Sequence, residues 1–181
     1  MNNKNIYKVI ILIIISLFIY IEKAQTEIQE IEVVENHIQQ EQPQENKKYL
    51  VNRVVDGDTI KIDKIGTVRL IGIDTPETVD PRKEVQCFGI EASNKAKELL
   101  EGNEVILELD PSQGDVDKYG RILAYVYLEN GEMFNKIMIK EGYAHEYTYN
   151  TPYKYQAKFK EFEQKARELK LGLWGPICNS N

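Results

Sequence analysis

Three short runs hold the residues able to do chemistry: VVDGDTI (Val54–Ile60), VRLIGIDTPE (Val68–Glu77) and DKYGR (Asp117–Arg121). Among their side chains are two guanidinium groups (Arg69, Arg121), the carboxylates of Asp58, Asp74 and Glu77, and the threonine Thr75. That set matches what metal-assisted phosphodiester cleavage needs. Asp58 lies in the turn Asp56-Gly57-Asp58 between two β-rich runs, and Asp74 ends a run of β-branched residues ahead of Thr75-Pro76. Carboxylates placed at strand ends are hard oxygen ligands suited to Ca²⁺ or Mg²⁺. No His or Cys cluster of the kind zinc requires is present, since the two His are isolated and the two Cys are far apart. Glu77, across a stiffening proline from Asp74, is placed to take a proton from an attacking water or to orient that water.

Arg69 and Arg121 are the candidate electrostatic groups. Two guanidinium ions around one phosphate stabilise the extra negative charge of a pentacoordinate transition state. Arg69 stands five residues before Asp74. An odd spacing along a strand sends two side chains to opposite faces, so a shared site requires a bulge or bend between them.

Elements able to position these groups can be read from the pattern. Strands are expected at Tyr49–Val55, Thr59–Ile62, Thr67–Ile73, Glu104–Leu109 and Ile122–Leu128, with turns at Asp56-Gly57, Ile65-Gly66 and Asn130-Gly131. Helices are expected at about Ile90–Leu100, with Ala92, Ala96, Leu99 and Leu100 inward, and at about Asn135–Glu141. A last helix carries the stripe Tyr155, Phe159, Phe162, Ala166 and Leu169, read as core packing. Five strands with inserted helices fit an α+β fold built on a small five-stranded barrel of the oligonucleotide-binding (OB) type with three helices.

The compact part, from about Tyr49 to Trp174, resembles the staphylococcal nuclease (thermonuclease) family. The resemblance is carried by VVDGDTI, RLIGIDTPE, FGIEAS (Phe88–Ser93), DKYGR with LAYVY (Leu123–Tyr127), the tyrosine pair of EYTY (Glu146–Tyr149) and the closing GLW (Gly172–Trp174). It implies Ca²⁺ as cofactor, held by Asp58 and Asp74 through carboxylates and by Thr75 through its backbone carbonyl. Arg69, Glu77 and Arg121 become the catalytic trio. Lys118, Tyr119, Tyr147 and Tyr149 match positions that contact the nucleotide, and Arg82-Lys83 fall in a loop flanking the site. The implied reaction cuts DNA and RNA, leaving 3′-phosphate ends. Two other readings stand beside it: a nucleic-acid-binding barrel without catalysis, and a surface module that recognises protein.

Taken singly, each run has a plainer explanation. Asp-Gly-Asp is a common turn, Thr-Pro-Glu a common helix start, and alternating tyrosines one face of an extended segment. The joint occurrence in this order is what carries the site.

Charge qualifies the reading. The chain has a formal net charge of −6, of which residues 1–48 contribute −2 and the remainder −4. A domain without a strong basic field should bind nucleic acid more weakly than a basic nuclease would.

The first 24 residues are expected to be a signal peptide or membrane anchor. Lys4 and Lys8 precede an apolar run, Val9 to Ile21, too short for a comfortable membrane span. Ala24 is the nearest small residue for cleavage, and cleaved and anchored forms both stay open. Residues 25–48, rich in Glu and Gln, read as a solvated linker, leaving 49–178 as the folded domain of an exported monomer. Export invites one disulfide between the two cysteines, Cys87 and Cys178.

Overall fold

The computed structural model describes residues 47–78 and 84–178, together with residues 17, 18, 20–23 and 25, which are helical. Most of the apolar N-terminal run, most of the linker and the Arg82-Lys83 pair lie outside the described residues. Among the described residues, no helix is long and apolar enough to cross a membrane. The chain divides into two units, 1–46 and 47–181, and the second carries the candidate site.

Among the described residues of the second unit, seven strands form: β1 (Lys48–Asp56), β2 (Thr59–Ile62), β3 (Gly66–Leu70), β4 (Ile73–Asp74), β5 (Glu104–Glu108), β6 (Ile122–Leu128) and β7 (His145–Glu146). Five of them close a barrel in the order β1-β2-β3-β6-β5, with β5 returning to β1, while β4 and β7 pair separately. Neighbours in the barrel are antiparallel except β3 and β6, which run parallel with Val68 opposite Ile122. Three helices, α1 (Gly89–Leu100), α2 (Phe134–Lys140) and α3 (Gln156–Glu168), and a 3₁₀ turn at Gly172–Trp174 complete it. The expected five-stranded OB-type barrel with three helices is present.

The strands bury Val51, Val54, Ile60, Ile62, Val68, Leu70, Val105, Ala124, Tyr125 and Val126, joined by Phe134, Met138, Ile139 and Phe159; a register shift in β1 breaks the simple alternation between Val51 and Val54. Each such large side chain contributes about 1.5–3 kcal/mol by leaving water. Helix α1 buries Ala92, Ala96 and Leu100 fully, with Leu99 packed at the margin. Cys87 and Cys178 are joined, with Cα atoms 5.7 Å apart. The bridge ties the residue just before α1 to the tail beyond α3.

Two expectations need correction. The strand read as Thr67–Ile73 is broken: β3 stops at Leu70, Ile71-Gly72 turn, and β4 begins at Ile73. Gly72 has φ +79°, a conformation that ends regular strand geometry and suits glycine. Leu169 does not join the core stripe. It lies just past the end of α3 and is 69% exposed, because the helix stops before that position turns inward.

Candidate active site

The turn between β1 and β2 sets the floor of the site. Gly57 lets this turn approach the segment after β4, since a Cβ there would meet the Thr75 side chain at 2.7 Å. Asp58 follows, only 7% exposed. Its Oδ1 accepts from Thr59 Oγ1 at 2.9 Å, and its Oδ2 accepts from the Thr75 amide at 3.0 Å and from Thr75 Oγ1 at 3.2 Å. Threonine 75 thereby locks the rotamer of Asp58, a role that spacing alone did not reveal.

Arg69 reaches this floor from β3. Its Nη2 lies 3.2 Å from Asp58 Oδ2 and 3.0 Å from Asp74 Oδ1, so one nitrogen bridges two carboxylates. Its Nη1 donates to the carbonyls of Leu70 at 2.9 Å and Ile73 at 2.7 Å. These two carbonyls flank the Ile71-Gly72 turn, so the guanidinium fastens the bend that brings Asp74 beside it. Partial burial and the Asp58 carboxylate raise the Asp74 carboxyl above its ordinary range, partly opposed by Arg69. Glu77 also contributes to raising it, which places a third negative charge within electrostatic reach of this corner. The Asp74 side chain keeps 52% exposure and faces the open side.

These groups fit a hard divalent cation. Two carboxylates converge within bridging distance of a single cationic nitrogen, and the neighbouring candidate donor, the Thr75 carbonyl, is also oxygen. Among the described residues, no cluster of three or more His, Cys, Asp or Glu side chains offers a metal site.

Glu77 is held from behind. Its amide donates to Gln86 Oε1 at 2.8 Å, and its carbonyl accepts from the Gln86 amide at 3.0 Å. One residue on, Thr78 Oγ1 donates to Asp56 Oδ1 at 2.9 Å. Gln86 and Asp56 thus anchor the backbone that presents Glu77. Asp56 belongs to the run VVDGDTI, but its place there does not show this anchoring role, and Gln86 lies in no recognisable motif, nine residues from Glu77.

Arg121, at the entrance to β6, donates through Nε to Asp117 Oδ2 at 2.7 Å and has Nη2 at the same distance. The Asp117 carboxylate also accepts the amides of Tyr119 and Arg121, both at 2.9 Å, so the DKYGR loop closes on its own first residue. The guanidinium keeps further N–H donors for a ligand.

A cleft of about 600 Å³ brings most of the expected residues to one wall or another: Arg69, Asp74, Lys118, Tyr119, Arg121, Tyr147 and Tyr149. Asp58, Thr75 and Glu77 do not line it; Asp58 and Thr75 meet it through Arg69 and Asp74. Tyr119 is 70% exposed, with Lys118 Nζ 5.1 Å and Arg121 Cζ 5.4 Å from its ring centre. Tyr147 and Tyr149 stand 6.4 Å apart, and Lys118 Nζ lies 5.9 Å from the Tyr149 ring. Exposed aromatic rings beside cations form a stacking platform for bases with charge for the backbone.

The cleft's two loops are laced together. Gln113 Nε2 donates to the Thr151 and Pro152 carbonyls, each at 3.2 Å, and Thr151 Oγ1 donates to the Ser112 carbonyl at 3.3 Å. Beneath them Asp110, 4% exposed, accepts from Tyr125 Oη at 2.7 Å, the Lys154 amide at 2.8 Å and Ser112. Burial works against ionisation of Asp110, but these hydrogen bonds hold its carboxyl below the usual range.

Comparison with known proteins places the same stretch in a known group. Residues 67–176 match the family model described as Staphylococcal nuclease homologue. The chain is 46% identical over 129 residues to the Thermonuclease of Staphylococcus hyicus, covering 70% of this chain and 75% of that one. It is 47% identical over 131 residues to the Thermonuclease of Staphylococcus intermedius, covering 71% and 76%. It is also 44% identical over 138 residues to Endonuclease YncB of Bacillus subtilis (strain 168), covering 71% and 64%.

Proposed function

This chain belongs to the staphylococcal nuclease homologue family and is a nuclease, and we propose that it is a Ca²⁺-dependent endonuclease of DNA and RNA that leaves 3′-phosphate ends. The observation that carries the reading is the single nitrogen, Arg69 Nη2, between the carboxylates of Asp58 and Asp74. A buried and a half-exposed carboxylate held this close call for more positive charge than one arginine supplies. Asp58, Asp74 and the Thr75 carbonyl would hold the ion. When bound, Ca²⁺ supplies Lewis-acid polarisation and neutralises the two carboxylates.

The chain's own groups divide the remaining work. Lys118, Tyr119, Tyr147 and Tyr149 hold the nucleotide in the cleft. Glu77 takes or directs the proton of the attacking water as its oxygen bonds to phosphorus. Arg69 and Arg121 stabilise the charge that grows on the phosphoryl oxygens. The bond to the 5′ oxygen breaks, and that oxygen takes a proton from solvent water, because a guanidinium is too weak an acid to give one. The products are a 3′-phosphate and a 5′-hydroxyl.

The export reading is part of the proposal: residues 1–24 act as a signal peptide or membrane anchor, residues 25–48 as a spacer, and the domain works as a monomer outside the membrane. The paired cysteines support an oxidising setting.

End-group analysis tests the chemistry. Digested oligonucleotides should resist 3′-end extension until treated with phosphatase. Fragments that extend directly would reject the assigned bond.

A further inference from the structure

A second groove, of about 650 Å³, opens beyond the site on the outer side of β1 and α1. Asn52, Arg53, Thr78, Asn94 and Lys97 are among its lining residues. Asp74 lines the cleft described above and Thr78 lines this groove. The segment Asp74–Thr78, four peptide units and at most about 15 Å long, carries Glu77 between them.

The groove is cationic in a chain that is net negative. Arg53 and Lys97 line it, and Lys61 stands directly across the β1–β2 ladder from Arg53. All three are exposed, and among the described residues none has a carboxylate within ion-pair distance. Like charges placed opposite each other on neighbouring strands destabilise a sheet. On α3, by contrast, Lys158 and Lys165 are both paired with Glu161. The one acidic liner, Glu101, is turned toward β1, where its Oε2 accepts the Val54 amide at 2.8 Å. With its charge counted, the lining is still net positive, and Asn52 and Asn94 add side chains able to donate to anionic oxygens.

We propose that this groove binds the backbone phosphates of the nucleic-acid strand where it continues past the scissile bond, on the far side of Glu77 from the tyrosine cleft. The proposal rests on the nuclease reading and extends it: a polymer cut internally has chain on both sides of the cut, and the cleft houses only one side. Arg53, Lys61 and Lys97 would supply strand affinity without base preference.

The test is the salt dependence of binding, recorded by fluorescence anisotropy in a metal chelator, so that no cleavage is needed. The probe is a labelled single-stranded DNA of about thirty nucleotides. Each phosphate contact on a single strand contributes about 0.7 to the slope of log affinity against log salt. The triple variant R53Q/K61Q/K97Q should therefore lose about two units of slope and bind on the order of tenfold more weakly at low salt. A control, K158Q/K160Q/K165Q on α3, removes the same formal charge and should keep the wild-type slope. Equal melting temperatures confirm that both variants fold. An unchanged slope in the groove variant overturns the proposal, as does an equal loss in the control. Absence of cleavage by the wild type with any divalent cation would reject the nuclease reading instead, and the slopes would still decide the groove.

Discussion

Arg69 and Asp74 lie five residues apart along what the sequence presents as one strand, yet Arg69 Nη2 sits 3.0 Å from Asp74 Oδ1. The bend at Ile71-Gly72 makes this contact possible. Gly72 has φ +79°, and a Cβ there would meet the Tyr153 ring at 2.6 Å. Gly72→Ala should cost about 2–4 kcal/mol, combining left-handed strain of about 1–2 with an overpacking term. It should also reduce activity in the fraction that remains folded, because the bend positions the two site residues. Thermal unfolding beside specific activity checks both. Wild-type stability in the alanine variant would show that the bend is not what aligns them.

The catalytic assignment predicts a separable loss. Arg69→Lys keeps the charge but not the fork of donors, and Glu77→Gln keeps the size but not the base. Each should lower kcat by a factor on the order of 10², with the barrel still folded by circular dichroism. Near-normal turnover in either variant would remove that residue from the mechanism.

Gln86 should act through Glu77. It holds both the amide and the carbonyl of that residue, and small misplacements of a catalytic group are costly. Gln86→Ala should reduce kcat by about tenfold with little change in KM, while Gln86→Glu, which keeps a side-chain acceptor, should recover part of it. A loss confined to KM would point to substrate contact instead.

Asp110 links stability to pH. Its carboxyl is held below the unfolded value of about 3.9, so the ionised form stabilises the fold above that pH. This contribution is lost as pH falls below about 4, through the lower folded value. Asp110→Asn should cost about 3 kcal/mol near neutrality, since hydrogen bonds to a charged group are worth ~1.5–3 each. It should also flatten the acid limb. An acid limb of unchanged steepness in urea titrations would reject the role.

The Cys87–Cys178 bridge, spanning 91 residues of sequence, should add up to about 4–5 kcal/mol in the chain-entropy picture. Non-reduced protein should show no free thiol after alkylation and mass spectrometry. Reduction should lower Tm while leaving the metal requirement unchanged. Two alkylated cysteines in freshly purified, unreduced protein would refute the bridge.

Much of this site is visible in one dimension because its chemistry is local. Asp58 sits in its own turn, Asp74 and Thr75 follow one another, and Arg121 closes a loop on Asp117 four residues away. The barrel was legible for a similar reason: β-branched runs alternate cleanly between Gly and Asn turns. What was not legible depends on distant partners. Gln86 reaches Glu77 from nine residues away, Gln113 reaches Thr151 across 38 residues, and Arg53 and Lys97 line one groove only because α1 lies on β1. Ile71 and Ile73 flank Gly72 with strong β character and so extend the apparent strand through it, although a glycine inside a strand is itself a signal for a bend. The spacing of Leu169 fits the core stripe, but periodicity does not show where a helix stops.

If Asp58, Asp74 and Thr75 hold a Ca²⁺ ion that phosphodiester cleavage requires, exchanging or removing that ion must change the rate. Digestion of plasmid DNA and of RNA by the purified domain, in parallel with Ca²⁺, Mg²⁺ or EDTA, tests it most directly. Two carboxylates and one carbonyl leave room for water and substrate oxygens, which suits the larger and more flexible Ca²⁺ shell. Both substrates should be cleaved rapidly with Ca²⁺, much more slowly with Mg²⁺ and not at all in EDTA. Equal rates with the two ions, or cleavage in EDTA, would contradict the Ca²⁺ requirement.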